Sequence, residues 1–120
     1  MTRVDQKYIL FWRRRFEAKK TESRALSIRA RKDLEAAISI LKRYGVKRVL
    51  LFGSLCKHDH FRPDSDIDLA VEGIPPDKIT RAAADLMMTL EWPTDLKPIE
   101  EMDDFFRSRV FESGELLYAE

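Results

Sequence analysis

Apolar residues first recur at helical spacing. Val4, Tyr8, Phe11, Trp12 and Phe16 stand three or four apart, which predicts an amphipathic helix over residues 3–19. Thr21 or Ser23 is placed to cap a second helix, in which Leu26, Ala30, Leu34, Ala37, Ile38 and Leu41 form one stripe. Gly45 follows as the residue just past its end. The pattern then changes. Val46–Phe52 is a continuous apolar run stopped by Gly53, hence a strand, and a short helix is expected from Ser54. Arg62-Pro63-Asp64-Ser65 reads as a turn before a second strand, Ile67–Glu72. Gly73 and Pro75-Pro76 break the chain ahead of a helix with Ile79, Ala82, Ala83, Leu86, Met87 and Leu90 on one face. Pro93 and Pro98 bracket a third short strand, a position suited to a sheet edge. Asp103 opens a last helix, Gly114 follows it, and Leu116-Leu117-Tyr118 makes a small terminal strand. The Met87-Met88 pair and the phenylalanines are expected in the core. Strands alternating with helices predict an α/β (α+β) domain: a small mixed sheet flanked by helices.

Charge divides the chain where the pattern does not. Residues 1–32 hold 11 Lys/Arg against 3 Asp/Glu, a net of +8, and residues 33–120 carry −7. We read 1–32 as a basic helical extension and 33–120 as the remaining domain. The large apolar residues of 1–22 need a partner surface, either internal or on another chain, so a homo-oligomer fits. The basic half also suits nucleic acid or an acidic protein surface, nucleic acid being the less favoured. No apolar stretch approaches the ~20 residues of a membrane span, and no signal peptide is visible. The single Cys56 excludes an internal disulfide and fits a cytoplasmic protein.

Residues 49–71, VLLFGSLCKHDHFRPDSDIDLAV, carry the chemistry. Side chains two apart on a strand share a face, so Asp66 and Asp68 point together while Ile67 and Leu69 turn to the core. Paired carboxylates repel unless a cation lies between them. Mg²⁺ takes one or two carboxylates and fills its octahedron with phosphate oxygens and water. Gly53-Ser54 at a strand end presents backbone N–H groups to a phosphate. Asp95, on the third strand, is the candidate third carboxylate. A bare D-x-D can instead cap backbone groups; the ordered set across three strands is what favours a metal–nucleotide site. Cys56, His58 and His60 alternate, but zinc needs three or four compact ligands and no fourth is evident. Neither a P-loop nor a G-x-S-x-G elbow is present.

On these residues the chain resembles the nucleotidyltransferase superfamily that includes DNA polymerase beta: Gly53-Ser54, a spacer, Asp66-x-Asp68, then Asp95. It is most similar to the minimal nucleotidyltransferases of prokaryotes, whose look extends to PDSDIDLAV and ESGELLYAE. The resemblance implies transfer of a nucleoside monophosphate, AMP from ATP or from another NTP, to a hydroxyl. It implies that Gly53 and Ser54 hold the triphosphate. Two Mg²⁺ ions would sit on Asp66 and Asp68, with Asp95 joining the nucleophile-side metal. Leu55 and Cys56 stand where the family often has a basic residue, so Lys57 or Arg62 is the candidate replacement. Proteins of this group are paired with HEPN-domain toxins, which implies an antitoxin that adenylylates a toxin tyrosine. A catalytically weak module that neutralises its partner by contact is the alternative.

Overall fold

A computed structural model describes residues 3–57 and 60–120, with side chains from residue 6 onward. Helices α1 (Arg3–Arg31) and α2 (Asp33–Arg43) precede strand β1 (Arg48–Phe52). A 3₁₀ turn, Gly53–Cys56, follows, then β2 (Ile67–Glu72), α3 (Pro76–Thr89), β3 (Thr94–Pro98), a second 3₁₀ turn (Ile99–Glu101), α4 (Asp104–Ser113) and β4 (Glu115–Ala119). The strands form one mixed sheet in the order β3-β2-β1-β4. β1 pairs antiparallel with β2 and β4, and β2 pairs parallel with β3.

Strand alternation sorts the side chains into two layers. Val49, Leu51, Ile67, Leu69 and Val71 join Ala30, Leu34, Ala37, Leu41, Ala82 and Leu86 in the larger core, which places α2 and α3 on one face. Leu50 and Ala70 point the other way and meet Ile99 and Val110, so α4 covers the opposite face. The central strands are buried on both sides, which explains their near-continuous apolar runs.

The N-terminal region departs from the expected break at residues 19–23. α1 is one continuous helix of 29 residues, and the chain breaks at Lys32 instead. Thr21 does not cap: its hydroxyl donates to the carbonyl of Glu17, one turn back, a bond that satisfies the side chain within a helix. Ser23 is buried inside α1. Every residue from Gln6 to Glu22 is exposed, so the outer part of α1, up to about Lys19, stands clear of the body. The molecule measures 64 × 31 × 21 Å with a radius of gyration of 18.1 Å, against about 13.6 Å for a compact chain of this length.

Two further expectations fail. Met87 and Met88 are 78% and 85% exposed, not core; the inward face of α3 is set by Ala82 and Leu86, and both methionines lie beyond it. Of the phenylalanines only Phe61 is fully buried, and Phe16 and Phe105 face solvent. The helix expected from Ser54 is a single 3₁₀ turn, too short to develop much of a helix dipole.

Candidate active site

Register brings the carboxylates together. Asp68 lies on central strand β2, opposite Phe52 of β1 and in parallel register with Asp95 of β3. All three side chains emerge on the α4 face of the sheet. Ile67 and Leu69, on the other face, are fully buried and hold the strand so that Asp68 cannot turn away. Asp66 immediately precedes β2 and is exposed. Burial, and then the charge of Asp95, push the Asp68 carboxyl from 3.8 up to about 6; Lys97 opposes the shift and Asp66 adds a smaller contribution to it. Among the described residues the Asp68 carboxylate has neither an ion pair nor a hydrogen-bond partner. Asp95 has a loose partner in Lys97, with Nζ 3.8 Å from Oδ2. The same ammonium stands over the rings of Phe106 and Phe52, 5.5 and 6.0 Å from their centroids.

Gly53 makes the approach to Asp68 possible. Its φ of +76° suits glycine, and a Cβ there would lie 2.2 Å from Asp68 Oδ2. The Gly53-Ser54 turn and the strand that carries Asp68 are therefore in contact at one point. From that point a cleft of about 430 Å³ opens between the turn and α4. Gly53, Ser54, Cys56, Lys57 and His60 line one wall, and Phe106, Arg109, Val110 and Ser113 the other. The Cys56 thiol donates to the Leu51 carbonyl, and burial raises its pKa. His58 lies outside the described residues.

The two candidate cations part company. Lys57 lines the cleft, whereas Arg62 lines a separate hollow against α1, beside Lys19, Glu22, Ser23 and Leu26. Sequence reasoning missed Arg109. It projects from α4 into the cleft and has no carboxylate partner among the described residues; its guanidinium stacks over Phe105 at 5.8 Å. Only the packing of α4 on the sheet reveals it, since 55 positions separate it from Ser54.

Does this donor set suit Mg²⁺? Among the described residues no three His, Cys, Asp or Glu side chains form a ready-made cage. A magnesium site does not require one, because substrate phosphates and water complete its octahedron. Asp68 and Asp95, adjacent hard oxygen donors with mutual repulsion to relieve, fit that role, and Asp66 stands at its edge.

A mixed sheet bearing paired acids beside a Gly-Ser turn defines a nucleotide-transferring domain. Residues 35–120 match the family model "Polymerase beta, Nucleotidyltransferase", and the chain belongs to that family, as a nucleotidyltransferase. The match begins after α1 has ended. No curated protein matches the chain. Among solved structures, a mutant MntA–HpeT toxin–antitoxin complex matches with a TM-score of 0.61 at 20% identity, over 72% of each chain. A toxin–antitoxin complex with AMP-PNP matches at 0.60 and 24% identity, over 69% of this chain and 70% of that one. The tri-AMPylated Shewanella oneidensis HEPN toxin with its MNT antitoxin matches at 0.59 and 20% identity, over 76% and 73%. These likenesses establish the fold. Among the described residues no helix is long and apolar enough to cross a membrane.

Proposed function

We propose that this chain transfers AMP from Mg-ATP to a tyrosine hydroxyl of a HEPN-type toxin and acts as its antitoxin. The observation that carries the reading is the contact of Gly53 with Asp68, which is itself in register with Asp95. It sets phosphate-binding backbone against paired acids. Support for the setting comes from structures of the same fold, one containing AMP-PNP and one an AMPylated HEPN toxin.

In this reading Gly53 and Ser54 orient the triphosphate through backbone N–H groups, and Lys57 and Arg109 neutralise its charge from opposite walls. Asp66, Asp68 and Asp95 hold Mg²⁺, two ions in the fullest form, which supply charge neutralisation at the α-phosphate when bound. The tyrosine oxygen forms a bond to the α-phosphorus in line with the departing oxygen. Pyrophosphate leaves, and the hydroxyl proton passes to a carboxylate at the rim. Residues 33–120 carry this chemistry and residues 1–32 form a basic extension. The unpaired thiol of Cys56 supports a cytoplasmic setting.

One observation favours contact-only neutralisation: Lys97 already neighbours Asp95, and no cation directly follows Ser54. Label transfer decides between the readings. With ATP labelled at the α-phosphate, Mg²⁺ and the partner toxin, wild type should place label on the toxin, and Asp68→Asn should not. Label from the γ-phosphate alone would make the chain a kinase. If Asp68→Asn neutralises the toxin as well as wild type does, the contact reading holds.

A further inference from the structure

We propose that α1 is an exchange arm: the basic aromatic helix of one copy docks on the acidic C-terminal face of a second copy, reciprocally. The inference is independent of the catalytic reading.

The arm cannot satisfy itself. Tyr8, Ile9, Leu10, Phe11, Trp12 and Phe16 are between 42% and 63% exposed. At roughly 200 Å² per large side chain this leaves on the order of 600 Å² of apolar surface in water, with Tyr8, Ile9, Trp12 and Phe16 along one side of the helix and Leu10 and Phe11 along another. Folding back would require a bend within α1. The helix is unbroken to Arg31, whose side chain is fastened to the body through Glu115 and the Leu55 carbonyl. Helical rise makes α1 about 44 Å long, so its far half lies beyond the reach of its own domain.

The C-terminal segment carries the opposite charge. Residues 100–120 contain seven acids and two arginines, a net of −5, where residues 1–32 carry +8. Exposed apolar groups stand among those acids: Phe105 at 72%, Leu116 at 56% and Phe111 at 37%. Rings in this molecule already accept guanidinium groups, with Arg15 over Phe11 and Trp12, Arg48 over Phe111, and Arg109 over Phe105. Arginines of the arm and rings of the acceptor face therefore combine charge with cation–π contact. A second copy supplies both members of the match, because each chain carries an arm and an acceptor face. Two-fold exchange uses each twice.

Sedimentation of the full chain with charge-swapped variants tests this. Wild type should be a dimer at micromolar concentration and low salt. Its dissociation constant should rise as salt approaches about 1 M, where screening acts within ~3 Å. Arg13→Glu/Arg14→Glu/Arg15→Glu should be monomeric, and so should Glu101→Lys/Asp104→Lys/Glu112→Lys. An equimolar mixture of the two should restore the dimer, since each arm again meets opposite charge. Circular dichroism checks that each variant is folded. A monomeric wild type, or swapped variants that fail to re-pair while folded, would overturn the proposal. So would a monomer whose arm binds single-stranded RNA or the toxin instead.

Discussion

Gly53 and Asp68 are in contact so close that glycine is the only residue the turn accepts. A Cβ at position 53 would lie 2.2 Å from Asp68 Oδ2, and the backbone there has φ +76°. Gly53→Ala should therefore displace the carboxylate as well as strain the turn. We expect loss of nucleotidyl transfer and a stability decrease of about 1–3 kcal/mol. Asp68→Asn keeps the side-chain volume, so the double variant with Gly53→Ala should remain strained. Denaturant unfolding of the three proteins checks this.

Asp68 should make the cation-free protein less stable as pH rises. Its folded pKa, about 6, exceeds the unfolded 3.8, so the folded state binds the proton more tightly. Stability should fall between about pH 4 and pH 6 and level off above. Because the group is only partly buried, solvent screening reduces the effect to the order of 1 kcal/mol. Asp68→Asn should flatten that slope and raise the melting temperature at neutral pH while abolishing transfer. Mg²⁺ with nucleotide should stabilise wild type but not the variant. Thermal melts across pH read all of these effects.

Arg109 faces Ser54 and Lys57 across the cleft. Arg109→Ala should raise KM for ATP about tenfold, the worth of one charge-assisted contact. Arg109→Lys should recover part of that loss. Steady-state kinetics with the toxin as acceptor separates KM from kcat; an unchanged KM would remove Arg109 from the nucleotide site.

Arg31 ties α1 to the turn. It donates to Glu115 at 2.9 Å and to the Leu55 carbonyl at 3.4 Å. Arg31→Ala should speed hydrogen exchange at amides 53–57 and slow transfer severalfold. The melting temperature should fall by a few degrees. Unaltered exchange in the turn would show that the tether does not order it.

Much of this was readable in the sequence because local rules and global fold agree. The apolar runs of β1 and β2, Pro93 and Pro98 around β3, and Asp103 as the cap of α4, where it accepts from the Phe106 N–H, all act within a few residues. The misplaced break near Thr21 arose because a hydroxyl that suits a cap is equally satisfied inside a helix. The register of Asp68 with Asp95, the Arg109 wall and the separate position of Arg62 depend on packing between distant segments. Periodicity carries no information about those. Met87 and Met88 were misjudged for a related reason: an apolar stripe does not report where its covering layer ends.

Near Asp66, the segment that follows Ser54 is moored to the body by Phe61. Phe61 is fully buried and lies against Trp92 with ring centroids 5.2 Å apart. The Trp92 indole donates to the Ser65 carbonyl, and the Ile67 N–H donates to the Pro93 carbonyl. Asp66 therefore takes its bearing from β3 and α3, not from the length of chain that precedes it. Residues added or removed before Phe61 should leave the acids aligned, so this spacer is free to diverge in length while the site behind it keeps its shape.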